Sequence, residues 1–229
     1  RTSEDVSYLN HFALELLSVG RADETSKLHE LISWTAPIES IKVDATFLSS
    51  LCEVVKSNCE NVSPMSHELV TAVRAICCIC LPNYRSTNQD SDNGCDILGK
   101  TFPSLPSLDN NIIYLYSGGL IEVYLTVLEK ICGYHEQPHL HIATFVGHNG
   151  YVLLAVIKPI VQTLAVVLSH LIACQDNEFR NITPINVLLR TFTLCNVVPT
   201  SSSCYELSRV VCADIMQIML SLTSTSFVQ

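Results

Sequence analysis

The 229-residue chain is 48% hydrophobic and only 15% charged, whereas ordinary globular proteins carry about 25% charged residues. This composition supports a large buried core, and it predicts either a densely packed helical array or a segment that a larger protein covers. The net charge of −9 and the scattered positions of the 13 basic residues argue against direct binding of nucleic acid, which requires clustered lysine and arginine.

Four amphipathic helices are predicted in the first third of the chain. Apolar residues recur every three or four positions within residues 2–20 and 22–34, as expected for one buried helix face. A third helix is expected over residues 45–59, with Asp44 as its cap, and a fourth over residues 67–81. In the fourth helix we expect the buried residues to be Leu69, Val70, Val73, Ile76 and Cys77.

Residues 83–111 have a different character. They are rich in serine, asparagine, aspartate, glycine and proline, and they lack sustained apolar periodicity. Because a loop of this length is uncommon inside a compact domain, we predict a flexible insertion. This insertion could serve as a tether, as a segment that folds on a partner, or as a phosphorylation target at Ser86, Thr87 and Ser91. Disorder without a function is the remaining alternative.

The second half of the chain predicts further helices. Gly118-Gly119 separates a short helix from a longer one, and residues 150–173 are the most apolar part of the sequence. Residues 183–195 carry Pro184 at the first helical position, which proline favours. The last helix, within residues 203–222, has an apolar stripe that comprises Leu207, Val210, Val211, Ile215, Ile218 and Met219. We therefore predict one all-α domain over residues 1–229, with about eight to ten helices, cut from a longer protein.

The apolar stretch from Tyr151 to Ala173 is long enough to cross a membrane. Lys158 and Pro159 lie near its middle, however, and a lysine at the centre of a bilayer costs roughly 2.5–3.5 kcal/mol. We predict a buried helix, kinked or divided at Pro159, and no membrane.

The eleven cysteines do not suggest a disulfide framework, because the number is odd and most lie within apolar helical runs. Free cysteine behaves as a small buried hydrophobic residue, and reducing compartments keep it in that state. We expect an intracellular protein, cytoplasmic or nuclear.

Three phrases resemble a known family. "SGGLIEVYLTVLE" is similar to the glycine turn and third-helix opening of an armadillo repeat, "TPINVLLRTFTLC" is similar to the same helix, and "HELVTAVRAICCIC" resembles the helix packed against it. The resemblance to the armadillo/HEAT superfamily implies a superhelical stack and a scaffold role. The insertion at residues 83–111 departs from the expected repeat of about 40–47 residues. The sequence therefore does not fix the number of repeats, and a non-repetitive helical bundle is an alternative.

One cluster of residues suggests metal chemistry. Cys132, His135, His139 and His141 offer two closely spaced ligand pairs, as a tetrahedral zinc site requires. A polar connector between helices explains the same residues, and we favour it, so no metal and no cofactor are predicted. Nucleotide-binding, zinc-protease and serine-nucleophile motifs are absent from the sequence, which favours a protein that is not an enzyme.

The leading interpretation is a scaffold that binds a basic or helical segment of another protein through a helical-repeat groove or an exposed helix face. The candidate contact residues are Tyr114, Tyr116, Arg190, Tyr205 and Arg209. The alternatives are a structural segment of a larger solenoid with no separate ligand, whose apolar ends would allow self-association, and a metal-binding domain over residues 132–148.

Overall fold

The structure is a computed structural model that describes residues 45–60, 62, 65–80, 106–135, 148–173 and 183–224. The regular elements in these ranges are all α-helices, which confirms the all-α class for this part of the chain. In chain order they are α1 (Ala45–Asn58), α2 (His67–Cys80), α3 (Pro106–Ser117), α4 (Leu120–His135), α5 (His148–Ala173), α6 (Thr183–Asn196) and α7 (Tyr205–Ser224). The helices predicted within residues 2–34 lie outside the described residues, so the total of eight to ten stays a prediction.

The ends of α1, α2 and α6 agree with the apolar pattern to within one residue. At the start of α2, the Ser66 hydroxyl oxygen accepts a hydrogen bond from the backbone N–H of Leu69 at 3.2 Å. This contact satisfies one of the backbone donors that a helix start leaves free. The five residues of α2 that the sequence assigns to the core are all buried.

The third helix begins earlier than the sequence analysis predicts. Residues 106–111, predicted to belong to the irregular insertion, form the first turns of α3. The proline at position 106 is well suited to a helix start because its missing N–H would have no partner there. Residues 83–105 lie outside the described residues, and their flexibility stays a prediction.

The helices pack in two rows. One row contains α1, α4 and α6, and the other contains α2, α5 and α7. Across the rows, α1 packs on α2 and α6 packs on α7, while α3 contacts α1, α2, α4 and α5. The inner helix of each row therefore has a helix on either side.

The inner helix α5 forms the centre of the core. Its stretch Gly150–Leu168 is long and apolar enough to cross a membrane, but 89% of that stretch is buried inside the protein. The sequence analysis predicts a kink or a division at Pro159. The helix continues through this residue, so the division is wrong, and the kink stays a prediction. Proline removes one backbone hydrogen bond, but the residues on either side of it are packed against α2 and α7.

The predicted glycine break between α3 and α4 is confirmed. The two helix axes turn by 65° at this point, and Gly119 adopts a positive φ of 77°. Only glycine adopts this conformation without a steric penalty. The backbone N–H groups of Gly118 and Gly119 donate to the carbonyl oxygens of Tyr114 and Tyr116, at 2.9 and 3.0 Å, and so close the end of α3.

The predicted apolar stripe of α7 is wrong at one position. Leu207, Val211 and Ile215 are buried as expected, but Val210 is exposed, and Asp214 is buried instead. The buried side of α7 is turned toward position 214, which the apolar pattern assigns to the surface.

Candidate interaction surface

The last two helices form a tight antiparallel hairpin with a well-defined connection. The Ser202 N–H donates to the Pro199 carbonyl at 2.9 Å, and the Ser202 hydroxyl accepts from the Cys204 N–H at 3.2 Å. On the solvent side, the Arg209 guanidinium donates to the Asn196 side-chain carbonyl at 2.6 Å. This bond joins the exposed sides of α6 and α7.

Exposed apolar side chains are concentrated on this hairpin. Eight large apolar residues are exposed in the described part of the chain, and five of them belong to α6, α7 or the turn between them. Leu220, at 63% exposure, is the most accessible. The five residues, which we call the hairpin surface, are Leu189, Val197, Val210, Met216 and Leu220.

Three of the predicted contact residues lie on the same hairpin. Arg209 is exposed and contributes the bridge to Asn196. Arg190 points instead toward α4, where its guanidinium lies 3.5 Å from the Glu129 carboxylate. Tyr205 is half-buried and packs against the core. Of the three, Arg209 is therefore best placed beside the hairpin surface.

The other two predicted contact residues lie on α3, away from the hairpin surface. Tyr114 is exposed, as is its neighbour Ile113, each at 54%. Tyr116 is half-buried and packs against the core. Ile113 and Tyr114 are therefore a second, smaller group of exposed apolar side chains.

The apolar members of the hairpin surface were not among the predicted contact residues. The sequence carries a signal for them, since α6 and α7 have apolar residues on more than one helix face. One apolar face per helix is enough for a core, so the additional apolar residues predict exposed apolar positions. The sequence alone does not show which of the two faces is turned inward.

A buried pair of opposite charges lies where α5 and α7 meet. Lys158 and Asp214 are both buried, and the Asp214 Oδ2 atom has no hydrogen-bond partner. Burial raises the pKa of the Asp214 carboxyl group to about 6, and the charge of Lys158 opposes this shift. The pair belongs to the core of the two-row packing rather than to an accessible site.

The described thiols also belong to the core. Cys132, one of the metal candidates, is buried with its sulfur 3.6 Å from the Thr191 hydroxyl of α6. Burial raises the pKa of the Cys195 thiol well above its usual range, and the neighbouring Cys212 and Cys132 add to the shift. Within the described ranges, no three histidine, cysteine or carboxylate side chains are grouped as a metal requires. The side chain of His135 and the residues His139 and His141 lie outside the described residues.

Comparison with known proteins supplies one relationship. The human protein virilizer homolog is 24% identical over 226 residues, which is 97% of this chain but 12% of the human protein. The chain is similar to a segment of virilizer. The mouse homolog is 24% identical over 228 residues, and Drosophila melanogaster virilizer is 23% identical over 210 residues.

The similarity covers a small part of each virilizer protein. The chain spans 12% of the mouse protein and 11% of the fly protein, against 97% and 87% of its own length. No protein-family model matches the chain, and no solved structure matches it. The relationship therefore concerns one segment of these much longer proteins.

Proposed function

We propose that the chain is a non-enzymatic protein-interaction module that binds a helical segment of a partner through the hairpin surface. The observation that carries this proposal is the concentration of exposed large apolar residues on α6 and α7. Exposed large apolar side chains are costly to leave in water, and a concentration of them on a soluble protein favours a site of association. A helix is a suitable partner because its side chains fit the ridges and grooves of another helix.

The ionisable groups described here support a binding role rather than a catalytic one. The amino group of Lys56 lies 2.9 Å from Glu53, that of Lys130 lies 2.7 Å from Glu60, and Arg190 pairs with Glu129. These pairs stabilise the surface of the helices and are not directed into a shared cleft. The excess negative charge of the chain favours partners whose flanking residues are basic, chiefly through the rate of association.

The test is to place charges on the hairpin surface and to measure which proteins still associate. A tagged native gene product that carries Leu189→Glu and Leu220→Glu is expressed in cells of the source organism, and its associated proteins are quantified by mass spectrometry. We expect specific partners to be depleted about tenfold relative to wild type, because central apolar contacts carry most of the binding energy of an interface.

Ile113→Glu provides the control, since Ile113 is also exposed but lies on α3. It should leave the associated proteins unchanged, and circular dichroism should show that both variants remain folded. An unchanged set of partners for the folded double variant contradicts the proposal.

The two-row packing favours a second candidate, a structural segment of a larger armadillo/HEAT-like solenoid. The stacking of α2, α5 and α7 side by side is what such repeats require, and the similarity to one segment of the long virilizer proteins supports the same interpretation. In this case the hairpin surface has no separate ligand. An intracellular location, cytoplasmic or nuclear, is part of both proposals.

Size-exclusion chromatography and thermal melting of the isolated chain distinguish the two candidates. An autonomous module elutes as a discrete species and melts in one cooperative step. A slice of a solenoid aggregates through its apolar ends and melts broadly.

A further inference from the structure

We propose that the occupant of the hairpin surface is an antiparallel pair of helices of another protein, which extends both rows of the fold and places a carboxylate opposite Arg209. This inference rests on the proposed function, since it names the kind of partner that the same surface receives. Two observations carry it. The outward sides of α6 and α7 repeat the apolar spacing of an interface inside the fold, and they carry a positive charge.

The side of α4 that packs on α6 provides the reference. On this side, the Cys132 sulfur lies 3.6 Å from the Thr191 hydroxyl. Ile121, Leu125 and Leu128 precede the cysteine on the same side of the helix, because the successive spacings of four, three and four residues follow the helical repeat. All three residues are buried. An apolar stripe with this spacing therefore packs α4 against α6.

The outward side of α6 repeats this stripe. Leu189 is two residues from Thr191, so it lies about 200° around the helix from the contact with α4. Ile185 and Phe192 lie within about 60° of Leu189, and the spacing of the three residues, four and then three, is that of the apolar stripe of α4. Leu189 is exposed, and the other two are half-buried. The outward side of α6 therefore offers a further helix the pattern with which α4 receives α6.

Helix α7 has a corresponding outward side. Asp214 lies beside Lys158 of α5, and Met216, two residues later, lies about 200° around the helix from it. Leu220 follows Met216 by about one turn, and both are exposed. Each outward stripe thus points away from the preceding helix of its own row. The hairpin surface therefore accepts one helix beside α6 and another beside α7, whereas a single helix in the groove between them would leave both stripes partly uncovered.

A hydrogen bond joins the two outward sides into one face. Arg209 precedes Met216 by seven residues, and Asn196 follows Leu189 by seven residues. Because seven residues are close to two full turns, each of these polar residues lies on the outward side of its helix. The Arg209 guanidinium donates to the Asn196 side-chain carbonyl at 2.6 Å. The two stripes therefore lie side by side, as the two rows do.

The charge of this face adds a chemical requirement on the partner. Arg209 is its charged residue, since Glu206, the other exposed charge of α7, lies about 80° around the helix from Met216. The guanidinium has N–H donors beyond the one that it uses within the hairpin. The interface between α4 and α6 contains a comparable pair, in which the Glu129 carboxylate lies 3.5 Å from Arg190. A carboxylate of the partner would pair with Arg209 in the same way.

Site-specific photocrosslinking in cells of the source organism tests the inference. The tagged native gene product carries p-benzoylphenylalanine at position 189 on α6 or at position 216 on α7, and the crosslinked peptides are identified by mass spectrometry. We expect both positions to label the same partner protein, in two different helices that are joined by a short connection. Position 113 on α3 is the control, and it should not label this protein.

The positions of the crosslinks also identify any other occupant. Labelling of one and the same helix from both positions would show that a single helix binds. Labelling of a second copy, or of another part of the same polypeptide, would show that the partner is not a separate protein. Each of these results overturns the inference, as does the absence of any labelling.

A charge reversal tests the predicted carboxylate. Arg209→Glu should lower the yield of crosslinks from position 189 by about fivefold, because it places like charges opposite each other. Lys56→Glu on α1 is the matched control, since it makes the same change in net charge away from this face, and it should leave the yield unchanged. Circular dichroism checks that both variants are folded. An unchanged yield in folded Arg209→Glu overturns the inference.

These results are distinguishable from failure of the proposed function. If Leu189→Glu with Leu220→Glu removes a partner whose crosslinks all fall on one helix, the inference is wrong and the interaction module stands. If the double variant removes no partner and neither position 189 nor position 216 labels another protein, both proposals are wrong.

Discussion

At the scale of single residues, the carboxyl group of Asp214 is the main departure from an apolar core. It is buried against α5, its Oδ2 atom has no hydrogen-bond partner, and Lys158 supplies the nearby positive charge. The folded protein therefore binds a proton at this site more tightly than the unfolded chain does. A buried carboxyl group whose pKa is raised to about 6 makes folding more favourable when it is protonated.

The pH dependence of stability follows from this shift. The contribution of Asp214 to the free energy of unfolding is fully present below pH 3.8 and falls as the pH rises from there to about 6. In Asp214→Asn this pH-dependent component should be absent, and the variant should be more stable at pH 7 by about 1–3 kcal/mol, because the uncharged amide does not bear the cost of burying a carboxylate charge. Urea unfolding at several pH values measures both effects. Glu206→Gln on the same helix is the control, and an unaltered pH slope in Asp214→Asn contradicts the prediction.

Two buried tyrosines differ in what their hydroxyl groups contact. The Tyr124 hydroxyl is buried without a hydrogen bond of good geometry. Burial raises its pKa well above its usual range, and the neighbouring Thr163 side chain opposes this shift. The Tyr151 hydroxyl donates to the Ser203 carbonyl at 3.2 Å. We expect Tyr151→Phe to lower the free energy of unfolding by about 0.5–1.5 kcal/mol, because it removes a hydrogen bond. Tyr124→Phe should leave that free energy unchanged or raise it. Equal losses in the two variants, measured by chemical denaturation, would show that the Tyr124 hydroxyl has a partner.

At the scale of elements, the break between α3 and α4 depends on backbone conformation as well as on packing. Gly119 has a positive φ, and a Cβ atom at Gly118 would lie 3.2 Å from the Tyr114 carbonyl oxygen. The 65° turn lets α3 contact both rows while α4 occupies its place between α1 and α6.

Alanine substitutions at two glycines should therefore have opposite effects. Gly119→Ala should lower the free energy of unfolding by about 1–2 kcal/mol, the cost of a left-handed conformation for a residue with a Cβ atom. Gly133 is exposed within α4, and nothing lies within 4 Å of the site of its added Cβ atom. Gly133→Ala should raise the free energy of unfolding by about 0.5–1 kcal/mol, because alanine favours helices. Thermal melts of the two variants give the comparison, and a shift in the same direction for both contradicts the role assigned to the turn.

The sequence predicts the elements better than it predicts their orientation. Apolar periodicity places α1, α2 and α6 to within a residue, because each buries a regular stripe. It misses the start of α3, where polar residues and proline resemble a loop, and it assigns Val210 to the core in place of Asp214. The first error comes from local composition, and the second concerns tertiary packing, which decides which side of a helix is buried and which no local pattern contains. The hairpin surface escapes prediction for the same reason.

At the scale of the whole molecule, the described cysteines should report on global unfolding. Cys52, Cys77, Cys80, Cys132, Cys195, Cys204 and Cys212 are buried, whereas Cys59 is only half-buried. Burial raises the pKa of Cys204 to about 11, and thiols that are both protonated and inaccessible react slowly. In native buffer, alkylation followed by peptide mass spectrometry should modify Cys59 before the other seven cysteines that the structure describes. The buried thiols should react together only as urea unfolds the chain, and early modification of Cys195 would contradict the core described here.

The position of α5 determines how the loss of a core side chain affects the stability of the whole molecule. Both α2 and α7 bury their inner faces on this one helix, so neither flank has a complete interior of its own. A side chain truncated in α5 therefore weakens the packing of both flanks at once, and α4 holds the corresponding place between α1 and α6 in the other row. The two flanks are therefore expected to unfold together in one cooperative transition.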